Sequence, residues 1–71
     1  MNAFSIFVEA NAVWLQAQFD YLVAVEKAAN NPTARNWAAA DKAFQTQWVA
    51  SEDASKAARA MHNEAYILAH A

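Results

Sequence analysis

The side chains able to do chemistry here are two histidines, seven carboxylates, five basic groups and a handful of hydroxyls. His62 and His70 stand eight residues apart. A helical metal site needs histidines at i,i+4, as in His-Glu-x-x-His, or Glu-x-x-His pairs from facing helices. Neither spacing occurs, and Glu64 falls on a different side of a helix from His62, so no metal ligand set is expected. The chain has no Cys, which removes thiolate ligands, disulfides and a thiol nucleophile. Ser5, Ser51, Ser55 and the threonines have no nearby pair of residues to serve as base and orienter. Glu9, Asp20, Glu26, Asp41, Glu52, Asp53 and Glu64 are dispersed, as solvated charges are. Without a single Gly, no loop can cradle a phosphate in either common way. No catalytic site, no metal and no cofactor are expected, and the chain is read as a non-enzyme.

The basic residues are Lys27, Arg35, Lys42, Lys56 and Arg59. Lys27, Arg35 and Lys42 gather toward one end of the expected fold, but neutralising a run of phosphates takes a denser cluster. With a net charge of −2, the balance disfavours nucleic acid and anionic membrane as partners. The first apolar stretch is interrupted by Glu9, Asn11, Gln16, Gln18 and Asp20, which argues against a membrane span. The N-terminal residues lack the charged start of a secretory leader. The expected location is cytoplasmic.

What remains is architecture. Twenty alanines, no Gly and one Pro in 71 residues predict a single all-α domain, since Ala is the best helix former and the two strongest breakers are nearly absent. Residues 3–29 contain neither breaker and predict a first helix, with Asn2 as its N-cap. Asn30-Asn31-Pro32-Thr33 is the one strong punctuation. Asn30 is expected in the left-handed conformation that ends a helix, Asn31 as the next cap, and Pro32 in the following first turn. So short a turn makes the two helices antiparallel neighbours. The second helix is expected over about 33–69, with the last residues frayed. Its aromatic line (Trp37, Phe44, Trp48) and its later apolar line (Ala54, Ala57, Ala58, Met61, Ala65, Leu68) lie on different sides. That shift predicts either one long helix, bent if need be, or a break at Ser51-Glu52-Asp53.

The large apolar residues of the first helix cover an arc of roughly 160°, wider than the ~100° that one core-facing side requires. A single helical neighbour leaves much of that arc wet, and contiguous apolar patches of this kind mark association surfaces. Two hairpins forming a four-helix arrangement, two-fold symmetric, is the expected solution. The alternative is a monomeric three-helix bundle, broken at Ser51. The expected self-association or partner interface comprises Phe4, Phe7, Asn11, Trp14, Leu15, Gln18, Tyr21 and Leu22. Asn11 and Gln18, seven apart within the apolar arc, either fix register and oligomer number, or lie at its wet end or bond a facing backbone group. Phe7, Trp14 and Tyr21, also at sevens, read either as core or dimer seam, or as an anchor strip for another protein.

These features predict a small homodimer that binds, and inhibits or modulates, an unidentified protein partner, in the manner of accessory factors of phages and other mobile elements. Helix-in-groove recognition suits such a chain. The competing functions are a structural or assembly subunit and a nucleic-acid-associated accessory protein.

Overall fold

The computed structural model describes residues 2–71 and consists of two helices, α1 (Ala3–Asn30) and α2 (Ala34–His70), packed as an antiparallel hairpin. Asn2 caps α1 as expected: its side-chain oxygen accepts from the Ser5 amide at 2.8 Å.

The turn is built differently from expectation. Asn30 is the last residue of α1, and Asn31 is its C-cap with φ −141°, donating its N–H to the Lys27 carbonyl. No residue described adopts positive φ. The reason lies in Pro32, whose ring drives the preceding residue toward extended backbone. The cap of α2 is therefore Thr33, two residues later than expected, and its hydroxyl accepts from the Asn36 amide at 3.0 Å. Pro32 sits before the cap, outside the first turn of the helix. Asn36 returns the favour by donating its side-chain amide to the Asn31 carbonyl at 2.8 Å, which locks the turn onto α2. Asn36 is buried, so this bond also satisfies a polar group that would otherwise be costly to hide.

α2 runs unbroken through Ser51, Glu52 and Asp53 and on to His70. The last turn is held by His70, whose ring stacks on Tyr66 at 4.1 Å and whose Nδ1 lies 2.8 Å from the Tyr66 carbonyl. With 37 residues against 28, α2 outlasts α1. The Ala3 amide donates to the Glu64 carboxylate at 3.3 Å, so α1 begins level with Glu64 and the last turn and a half of α2 overhangs. The anion at the positive end of α1 is a favourable placement.

The two helices meet along matched stripes that repeat every seven residues. On α1 the stripe is Ala3, Phe7, Ala10, Trp14, Ala17, Tyr21, Ala24 and Ala28; on α2 it is Asn36, Ala40, Ala43, Gln47, Ala50, Ala54, Ala57 and Met61. Alternating spacings of four and three residues are those of a coiled-coil seam. The buried apolar residues along it are six alanines: Ala17, Ala28, Ala40, Ala50, Ala54 and Ala57. Small seam residues let helices approach closely, and on α1 the aromatics alternate with alanine to fill the space between. This resolves the shift in the apolar pattern of α2: its alanine line faces α1, while its aromatic line belongs to another side. The chain needs no break at Ser51.

Candidate association surface

The two lines of large apolar residues excluded from the seam lie on one side of the hairpin. On α1, Phe4, Val8, Asn11, Leu15, Gln18, Leu22 and Val25 follow the same alternation of four and three, offset by one position from the seam. On α2, the corresponding line runs Trp37, Asp41, Phe44, Trp48, Ser51, Ser55, Ala58 and His62. Two observations place them together. The Tyr21 and Phe44 rings meet edge-on at 5.5 Å and 61°. Farther from the turn, a notch of about 160 Å³ has Phe7, Asn11 and Trp14 on one wall and Ser51, Ser55 and Ala58 on the other. Both stripes therefore edge the same broad face.

The eight residues expected at an interface divide into two groups. Phe7, Trp14 and Tyr21 are half-buried in the seam between α1 and α2. Phe4, Leu15, Gln18 and Leu22 stand open on the broad face, with Phe4 60%, Leu15 52% and Leu22 57% exposed. Asn11 is half-buried at the boundary, on the wall of the notch. Trp14 carries an oddity: its indole nitrogen is buried and has no hydrogen-bond partner. Such groups are uncommon, because a buried donor forfeits its bond to water.

Sequence reasoning drew Trp37, Phe44 and Trp48 as one line on α2, and each is exposed, Trp48 by 54%. It missed Ser51, Ser55 and Ala58 as a group. Their signal was present: they continue the aromatic line at the same heptad spacing, exchanging bulk for small side chains halfway along α2. The broad face is thus bulky toward the turn and hollow toward the open end.

Charged residues keep mostly to the rims and the opposite side. That side carries Asp20, Lys42 and Asp53, with Val13, Thr46 and Val49 bordering a shallow groove of about 430 Å³. Among the described residues no group of three His, Asp or Glu side chains could hold a metal ion. Nor, among those residues, is any helix long and apolar enough to cross a membrane. What the described residues assemble most plainly is a surface.

No protein-family model matches the chain, and neither a curated protein nor a solved structure matches it.

Proposed function

We propose that this protein works by association: a non-enzymatic helical module that pairs through its broad apolar face and, once paired, binds and modulates another protein. The supporting observation is the excess of surface. The chain exposes 5399 Å², against about 4,400 Å² for a compact folded chain of this mass. Fifteen large apolar residues are among those exposed. An excess of about 1,000 Å² per chain is close to what each partner contributes to a stable interface, about 800 Å². Pairing through the broad face leaves the opposite side, with Val13 and Val49, for a foreign protein.

The test is molar mass by light scattering behind a sizing column, over a hundredfold range of loading. A mass above one chain for the wild type, reduced to one chain with helicity retained in Leu15→Glu/Leu22→Glu, is the expected result. A wild type that stays a single chain at every loading overturns the proposal. The overhanging Tyr66, Ile67 and Leu68, all exposed, favour a second reading, an assembly subunit that grows end to end. Its mark is a mass that passes two chains and keeps rising with loading.

A further inference from the structure

We infer that the occupant of the broad face is a second copy of this chain, turned about a two-fold axis perpendicular to the helices, so that each copy's aromatic half fills the other's hollow half. The arrangement rests on the association proposed above and adds to it a partner, an orientation and a register.

Shape argues for the orientation. Phe44 and Trp48 project from the half of the face nearer the turn, while Ser51, Ser55 and Ala58 leave a notch in the other half. Two copies aligned in the same direction put the bulk of both at one end and the hollows of both at the other. Two copies in opposite directions put bulk into hollow twice, as an isologous interface requires.

The heptads then fix the register. Antiparallel helices pack their stripes in layers. On α2 the layers that join large to small are Phe44 with the partner's Ser55 and Trp48 with the partner's Ser51. Their midpoint falls between Trp48 and Ser51. On α1, the matching layers are Asn11 with the partner's Leu22 and Leu15 with the partner's Gln18, and their midpoint falls between Leu15 and Gln18. One axis must serve both helices, so the two midpoints have to stand at one height. They do: Ala3 is level with Glu64 and Tyr21 with Phe44, which sets the stretch between Leu15 and Gln18 beside that between Trp48 and Ser51. A stripe pairing chosen on α2 for size alone thus yields a complete set of layers on α1 without adjustment. Asn11 and Gln18 each meet a leucine in it, so a slip of one layer changes which residues the amides face. The same register sets Asp41 near the partner's Arg59 on either side of the axis, opposite charges at the rim.

The axis passes close to Ser51 and far from Ser55, and this separates the arrangement from others. In it, a residue at 51 lies about 4.5 Å along the helix from its own copy, and a residue at 55 about 16 Å, at 1.5 Å per residue. A two-fold axis running along the helices keeps every residue level with its copy, so the two positions behave alike. The chain has no native Cys, so Ser51→Cys and Ser55→Cys each introduce one thiol by a conservative change. Treated with a short bis-maleimide, Ser51→Cys is expected to give a covalent dimer and Ser55→Cys to remain single-chain on a denaturing gel. Both variants are expected to share the wild-type mass by light scattering. Dimeric mass with equal cross-linking of the two, or with Ser55→Cys the more reactive, overturns the arrangement and leaves association standing. Single-chain mass for the wild type overturns both.

Discussion

Trp14 and Leu15 are adjacent in the chain and answer to different neighbours. Trp14 is half-buried against α2, on the wall of the notch that Ser51 and Ser55 complete, while Leu15 stands on the open face. From the sequence, both were placed in one expected interface without distinction. The structure separates them. Leu15→Glu should leave the helical signal intact and lower the association state, seen as wild-type circular dichroism with a single-chain mass. Trp14→Ala should instead weaken the hairpin itself, by about 3 kcal/mol, the low end for losing an indole because the site is only half-buried. Trp14→Phe isolates the orphaned donor. It keeps an aromatic ring in the seam and removes an indole N–H whose burial without a partner costs about 1–3 kcal/mol. The lost bulk and the relieved donor offset each other, so urea midpoints of Trp14→Phe and wild type should lie close together, with Trp14→Ala well below.

The elements were legible where punctuation is strong and illegible where the core is made of alanine. Asn2, the breaker-free run from Ala3 and the Asn-Asn-Pro-Thr turn give the hairpin directly, because capping and proline geometry act locally. The seam was hidden by the weight that large side chains carry in any apolar count. Phe4, Val8, Leu15 and Leu22 look like core by size, yet the side that faces α2 is the one where small residues recur every seven positions. Helix approach, rather than side-chain size, selected it. Asn36 was missed for a related reason: its role depends on Pro32 shifting the cap to Thr33, which places Asn36 three residues into the capping pattern. Two substitutions test the elements. Ala54→Leu inserts bulk at a buried alanine of the seam, and overpacking should cost about 1–3 kcal/mol and lower the thermal midpoint. Thr33→Ala removes the cap of α2 and should cost about 1 kcal/mol with no change in association state.

A ribbon of two helices has no inside large enough for its own apolar residues. The Cα trace extends 57 × 16 × 13 Å with a radius of gyration of 16.4 Å, where about 11 Å describes a compact chain of this length. A third element folded back over α1 would shorten that long dimension, and α2 does not supply one because it continues straight past Ser51. Lateral addition of a second hairpin thickens the short dimensions instead, and that is the addition proposed for the broad face. Stability should then depend on protein concentration, since association favours only the folded form. The thermal midpoint of the wild type should rise steadily with loading, while that of Leu15→Glu stays fixed. The rim charges refine this at the scale of the pair. Asp41→Arg sets like charges together on both sides of the axis and should weaken association, most at low salt, because exposed charges are screened as ionic strength rises. Adding Arg59→Asp to Asp41→Arg restores opposite charges with their positions exchanged. Recovery of the dimer mass in the double variant follows only if residue 41 of one chain stands near residue 59 of the other. Since the two lie eighteen positions apart along one helix, about 27 Å at 1.5 Å per residue, a recovery cannot arise within a single chain.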